Sequence, residues 1–511
     1  VTPNAAAALR QGRGPVVVCL LRLKGGTEYA FGTEAIEVRR RTGPAIQVSP
    51  GLVVDDVEST IDPFALAGET ALTQAQVSVV LPDSLTDAQG DWRYIGAAAG
   101  ELARLWPGDV WEDREFMLAG TRLSGVTLGV AGAPSTFTLE AAPPKTSATL
   151  GDSSRTLGAD FPAPVDQSAA PLSDLSGIEY PMVYGAPTSS GAYKIGEVGG
   201  DSYDRLVIGH EKWASAASTV TVYEDGVSVG TYTVQYDTAT SGGYAYVRDA
   251  AAGVFDASRG AFTIAPSHGG SPGPNGTDPV MTAGDLLELW LQRSGLAVDW
   301  ARCRAAIQRL RLWPMGAYLD SATPAIQAIR DHIVSVCPLI ELQSADGVWF
   351  YYADLDAPQV RGTLTEGQEL LGAVGGVGLS EIEDVVNAVT VRYAYDETTG
   401  EYTASETVDA DTDAAACVSA QLYGTLTADA IETVAIHDAA TARRAGRSLI
   451  HRRAYQRRQM TWLVSDYADV TPGEVYRMVA PTFGIARNVV AITVKGVVGR
   501  LVTFVVLDGP L

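Results

Sequence analysis

Asn387-Ala-Val-Thr-Val-Arg-Tyr-Ala-Tyr395 reads as a β-strand, and the segments beyond it set the architecture. An acidic loop runs from Glu397 to Asp413, Asp438-Ala-Ala-Thr-Ala-Arg-Arg444 opens an arginine-loaded helix, and a run of β segments comes after the helix. Asp438 can accept hydrogen bonds from the free N–H groups of the first turn, and helix formers continue through Arg458. Leu449, Ile450 and Tyr455 supply a narrow apolar stripe, while Arg443, Arg444, Arg447, Arg452, Arg453, Arg457 and Arg458 cover the rest. So many guanidinium groups on one helix repel one another unless carboxylates or phosphates neutralise them, which implies a partner. Beyond the helix, Met460–Val464, Asp469–Val479, Val489–Val498 and Leu501–Leu507 are apolar β segments. The Pro472-Gly473 turn favours antiparallel pairing, and Gly496 and Gly499 punctuate a last hairpin. The result is a small barrel or sandwich edge.

These residues carry a resemblance. The order Glu383-Asp-Val-Val-Asn-Ala-Val-Thr-Val-Arg-Tyr393, acidic loop, Asp438-Ala-Ala-Thr-Ala-Arg-Arg444, Arg-rich helix and Val470-Thr-Pro-Gly-Glu-Val475 resembles the C-terminal part of tail-hub proteins of tailed bacteriophages and of gene transfer agents. Weaker matches lie in Leu105-Trp-Pro-Gly-Asp109 and Ile178-Glu-Tyr-Pro-Met-Val-Tyr-Gly185. The resemblance implies a trimer whose six barrels form a pseudo-sixfold ring at the distal end of the tail, made in the host cytoplasm and built into the virion. It also implies partners: a distal tail protein, the tail tube and tape-measure protein, and tail fibre or receptor-binding proteins. DNA would pass through the channel without sequence-specific binding.

At 511 residues the chain has room for three or four domains. Its 46% hydrophobic content, with 53 Gly and 26 Pro, favours a β-rich chain with many turns. A net charge of −23 argues against clinging to DNA or to an anionic membrane, since both need a basic surface. An acidic wall suits a passage that DNA must not stick to, although solubility alone accounts for the same total. Cys19, Cys303, Cys337 and Cys417 are scattered without Cys-x-x-Cys or nearby histidine, so they read as small buried residues of a reduced compartment. No stretch approaches the roughly 20 apolar residues of a membrane span, and Val1-Thr-Pro-Asn-Ala-Ala-Ala-Ala lacks the basic and apolar blocks of an export leader.

The chain is expected to be β-rich and multidomain (α+β), with two barrel-like β modules, an inserted β module and a helical α+β unit. Residues 1–145 form the first barrel, with strands at Val16–Leu23, Glu28–Phe31, Glu34–Arg40, Gln74–Leu81, Glu115–Ser124 and Thr136–Glu140. Gly25-Gly26 makes a hairpin turn there, and one helix is predicted from about Ile95 to Leu105. Residues 146–268 hold a linker, marked by Pro143-Pro144 and Gly151–Pro171, and a β module over Tyr180–Ile264 whose Asp225-Gly226 is a strong hairpin signal. Gly269–Gly276 is a sharp boundary. In 277–380, Asp278-Pro279 and Thr323-Pro324 each read as cap plus first helical proline, Asp299–Leu312 as a third helix, and Leu339–Leu342 with Val348–Tyr352 as a hairpin turning at Asp346-Gly347. Residues 381–511 form the C-terminal module.

Chemical motifs fail their structural requirements. Gly226-Val-Ser-Val-Gly230 matches a nucleophile pattern, but strand rather than helix follows Ser228. Asp409-x-Asp411-x-Asp413 opens like a calcium loop, yet Ala414 and Ala420 stand where Gly and Glu are needed. Gly372–Gly378 lacks the Lys-Ser/Thr of a phosphate cradle and reads as a flexible connection. His210, His268, His332, His437 and His451 are dispersed, and His332 reads as structural. No catalytic residue, cofactor or metal is assigned, and the chain reads as non-enzymatic. The rival readings are a wall or polysaccharide hydrolase, needing two convergent carboxylates or a Cys-His pair, and a glycan-binding adhesin using Tyr223, Tyr232, Tyr236, Tyr244 and Tyr246. For the arginine helix the readings are solvated surface, DNA contact and an intersubunit ion-pair belt, the last favoured because neighbouring copies are rich in carboxylates. The Glu397–Asp413 loop is a possible partner, and Trp106, Trp111, Trp290, Trp313 and Trp462 are candidate anchors.

Overall fold

A computed structural model of the chain describes residues 15–22, 28–60, 72–79, 99–113, 115–127, 134–140, 147–160, 175, 177–197, 204–213, 218–238, 243–249, 254–255, 262–266, 271–276, 278–344, 347–353, 360–466, 468–496 and 500–507. The Gly25-Gly26 turn, Ile95–Ala98, Pro143-Pro144, residues 161–171, Gly269-Gly270, Asp346 and Gly499 lie outside them. The chain is a β-rich, multidomain protein with two curled half-barrel sheets and a few helices.

The N-terminal sheet grows from Val16–Arg22, whose first six residues are buried because the strand lies between Glu28–Gly32 and Ala99–Leu105. Ala99–Leu105 is therefore strand, which corrects the helix expected there. Its Ala, Glu, Leu and Arg favour helix locally, but antiparallel partners on both sides, Val16–Arg22 and Glu115–Thr127, override that preference. Two further strands, Ile46–Pro50 and Val53–Thr60, were not legible from the sequence.

The inserted module is a seven-stranded antiparallel sheet within Ser190–Pro266. Thr219–Glu224 and Val227–Thr233 turn at Asp225 (φ 50°) and Gly226 (φ 77°), and two successive positive φ values are the reason Asp-Gly stands there. Met182–Tyr184 leaves this region to pair with Ala317–Leu319, stitching it to the helical unit.

In the helical unit, Ala283–Arg293, Trp300–Leu310 and Ala325–Ile329 pack with the hairpin Leu339–Ser344/Gly347–Tyr352 around one core. The first helix begins later than expected. Thr282, not Asp278, caps it by accepting from Asp285 N–H at 3.2 Å, while Pro279 bridges to Pro272. Thr323-Pro324 is likewise no cap but pairs with Thr149-Leu150, and the free Ile326 N–H is taken by Ser147 Oγ at 3.1 Å. Ala325–Ile329 continues as a π-helical turn, Arg330–Val334, and the Arg330 guanidinium grips buried Glu341 through two 2.8 Å bonds. Val391, Tyr393, Ala394, Ala442 and Ala445 join this same core.

The C-terminal sheet has a second core built on Trp462, Met478, Val489, Val502 and Phe504. Arg458–Val464, Ile485–Lys495 and Arg500–Val506 pair antiparallel as expected. Val475–Ala480, after the Pro472-Gly473 turn, pairs antiparallel with Ile485–Lys495 and parallel with Val360–Thr365. The glycine-rich stretch expected to be a flexible connection is instead strand Leu370–Leu379, paired with Arg458–Val464. Val53–Thr60 pairs through Ser59↔Val494 with Ile485–Lys495, so the two end modules form one 15-stranded sheet.

Candidate functional site

The arginine helix spans Ala439–Arg453. Asp438 Oδ1 accepts from Thr441 N–H at 2.9 Å, which satisfies one of the free donors of the first turn. The helix lies on the hairpin Val389–Asp396/Glu401–Val408, and it buries small residues, Ala442, Ala445 and Gly446, ahead of Leu449 and Ile450. Gly446 is required by contact: a Cβ there would meet Val408 Cγ2 at 2.7 Å. Small residues at helical spacing are the signal for this close approach, which attention to large apolar side chains alone overlooks.

The helix ends at Arg453 rather than Arg458, so two of the seven arginines leave it. Arg458 starts a strand. Buried Arg457 turns back, donating from Nη2 to His451 O at 2.8 Å and from Nε to Arg452 O at 3.2 Å, and so caps carbonyls of the last helical turn. Arg452 is also buried and donates to Ser448 O at 3.1 Å. Arg453 is half-buried.

Arg443, Arg444 and Arg447 form the exposed face. Each has a partner inside the chain. Arg443 pairs with Glu406 at 3.1 Å and Arg447 with Asp413 at 3.3 Å, so the acidic segment between 397 and 413 is a partner to its own helix. Arg444 donates to Leu312 O, and its Cζ stands 5.7 Å from the Trp313 ring centroid. Asp413 does three things: its Oδ1 caps helix Ala414–Tyr423 through Ala415 N–H (2.9 Å) and Ala416 N–H (3.2 Å), while its Oδ2 meets Arg447 and His451. The Asp409-x-Asp411-x-Asp413 spacing thus serves a turn and a cap. Among the described residues, no three His, Cys, Asp or Glu side chains converge as a metal site.

Between the helical unit and the C-terminal sheet lies a cleft of about 390 Å³ lined by Arg302, Arg309, Trp349, Tyr352, Arg361 and Glu474, among others. Its carboxylate, Glu474, is ion-paired with Arg361 and accepts from Tyr476 OH at 2.9 Å. The paired free carboxylates of glycoside hydrolysis are not assembled there. In the inserted module Ser228 sits on an exposed strand, with no helix behind it. Tyr244 and Tyr246 are buried, one hydrogen-bonded to Arg205 at 3.1 Å and the other under its guanidinium at 4.5 Å, so neither presents a stacking face. The five candidate anchor tryptophans are all buried within the chain, which makes them core residues.

The two end modules meet at a second place. Arg104, fully buried on Ala99–Leu105, reaches across 362 residues of sequence to Asp466, donating to its Oδ1 at 3.2 Å and its main-chain O at 2.8 Å. With the Val53–Thr60/Ile485–Lys495 pairing, this fixes both half-barrels side by side in the chain. Neither contact was legible from the sequence.

No protein-family model matches the sequence, and no curated protein matches it. Similar solved structures include the 43 kDa tail protein of prophage MuSo2 from Shewanella oneidensis (9% identity, TM-score 0.38, 96% of this chain and 98% of that one). Others are the tail protein from Neisseria meningitidis MC58 (9% identity, TM-score 0.39, 96% and 95%) and the prophage tail protein gp18 from Listeria monocytogenes EGD-e (8% identity, TM-score 0.28, 64% and 87%). All three TM-scores lie below 0.5, and the function rests on this chain's own geometry.

Proposed function

We propose that this chain is a non-enzymatic structural protein of a phage tail, and within the tail the hub of its tip. Three copies form a pseudo-sixfold ring at the distal end of the virion, joining tail tube and distal tail protein to the tip and surrounding the channel for tape-measure protein and DNA. With the chain divided at 1–145, 146–268, 277–380 and 381–511, the first and last modules make the ring, the last together with Val360–Thr365 and Leu370–Leu379, which pair into its sheet, and the inserted module stays outside for contacts with fibres or receptor-binding proteins.

The observation that carries this reading is the continuous sheet through Ser59↔Val494, reinforced by Arg104 and Asp466. A ring of alternating modules needs both modules of each copy held rigidly side by side, and main-chain pairing does so without a flexible hinge. The net charge of −23 supports a wall past which DNA slides. The exposed arginines of the helix, Arg443, Arg444 and Arg447, retain spare donors for a neighbouring copy's carboxylates.

Native mass spectrometry of the purified full chain, followed by electron cryomicroscopy of the particles, tests the proposal. A trimer with a central pore is expected. A stable monomer at micromolar concentration, or an oligomer without a shared pore, overturns it.

A further inference from the structure

Strand Leu370–Leu379 ends the 15-stranded sheet. Among the described residues it pairs along one side only, with Arg458–Val464, so its outer main chain is an open edge. Natural edge strands are guarded by shortness, proline or charge. Here Leu370-Leu-Gly-Ala-Val-Gly-Gly-Val-Gly-Leu379 carries ten residues without one charge or proline. Leu371, Val374, Val377, Leu379 and the adjacent Ile382 are 54%, 50%, 44%, 63% and 47% exposed. The strand also bulges away from its partner, with Val374 to Gly378 opposing Thr461 to Gln459.

The glycines of this strand fall into two kinds. Gly375, at φ +84°, needs to be glycine for its own backbone. Gly372, Gly376 and Gly378 lack that conformation, and a Cβ on any of them would meet nothing within 4 Å. Nothing in the packing of the described residues requires them, whereas glycine in a strand suits close approach of another backbone.

The geometry points to Leu370–Leu379 as the seam at which a second copy of this chain adds its N-terminal sheet by main-chain pairing. Resting on the ring reading, this deepens it by naming the contact. One flank of the C-terminal sheet, Ile485–Lys495, already receives the chain's own N-terminal module. The opposite flank is this open strand, and the far end of the N-terminal module is the short strand Ile36–Val38. Joining ends of unlike kind head to tail, copy after copy, closes a ring in which the modules alternate. The uncharged Leu370–Leu379 side of the seam presents no carboxylate to repel Glu37 on the incoming Ile36–Val38 strand.

The test compares full-length wild type with Val374→Lys/Val377→Lys by native mass spectrometry, thermal melting and amide hydrogen exchange. Expected is a wild-type trimer whose outward amides between Gly372 and Gly378 are protected and lose protection on dilution to monomer. The double variant is expected to be monomeric and folded, melting below the wild-type trimer but at the temperature of wild type diluted to monomer. A wild-type trimer with freely exchanging outward amides, or a variant that stays trimeric, overturns the seam and leaves the ring standing. Protection that persists in the monomer also overturns it, because the chain then covers its own edge. A monomeric wild type removes the ring and the seam together. Should the variant fail to fold, the wild-type exchange result decides.

Discussion

His437 stands just before the cap of the arginine helix, with its Nδ1 buried and without a hydrogen-bond partner. Desolvation lowers its basicity to about 4, against a smaller opposing pull from Asp438, and burial likewise depresses His210 and His332. The unfolded chain, with histidines titrating near about 6.5, then binds more protons than the folded one between the two values. Stability is therefore complete above pH about 6.5 and falls as pH drops from there toward about 4. Urea unfolding at pH 7 and pH 5 should show a lower midpoint at pH 5, and His437→Gln should reduce the difference. The sequence marks these histidines as dispersed and structural, but their protonation follows from neighbours that only folding brings near. Arg457 is a similar case. It was legible as one more charge on a helix, and its capping role depends on the helix stopping at Arg453.

Some local signals carry their conformation with them, although the Asp-Pro and Thr-Pro pairs of the helical unit do not cap helices. The Asp225-Gly226 hairpin, the Asp438 cap and the alternating Thr219–Glu224 each carry their conformation in a few residues. Ala99–Leu105 and Leu370–Leu379 were misread because their composition suits helix or loop, and partner strands supply what propensity does not. Asp413 joins elements in a way its spacing does not reveal: one carboxylate caps Ala414–Tyr423 and holds Arg447 and His451 of the neighbouring helix. Asp413→Ala should cost about 1–2 kcal/mol, a typical loss for an acidic cap, seen as a lower urea midpoint with little change in m. Asn in the same place should recover the capping part, since its side-chain oxygen still accepts.

Across the whole molecule, the two half-barrels are expected to melt together because one sheet and one buried arginine join them. Arg104→Met keeps much of the stem but removes the bonds to Asp466 Oδ1 and main-chain O, and a loss of about 1–3 kcal/mol is expected for hydrogen bonds of a charged group. Calorimetry should show the single main transition of these modules broadening or dividing in two; an unchanged profile would mean that strand pairing alone couples them. From its residues alone the chain was readable as β-rich, acidic and turn-dense, with barrel-like modules at both ends and an arginine-loaded helix, because periodicity, glycine turns and caps are local properties. That Val53–Thr60 reaches Ile485–Lys495, that Arg104 finds Asp466, and that a glycine-rich stretch stands as an open edge became fixed only in the folded chain. Contacts spanning hundreds of residues depend on where whole sheets come to rest, and no short window of sequence encodes that position.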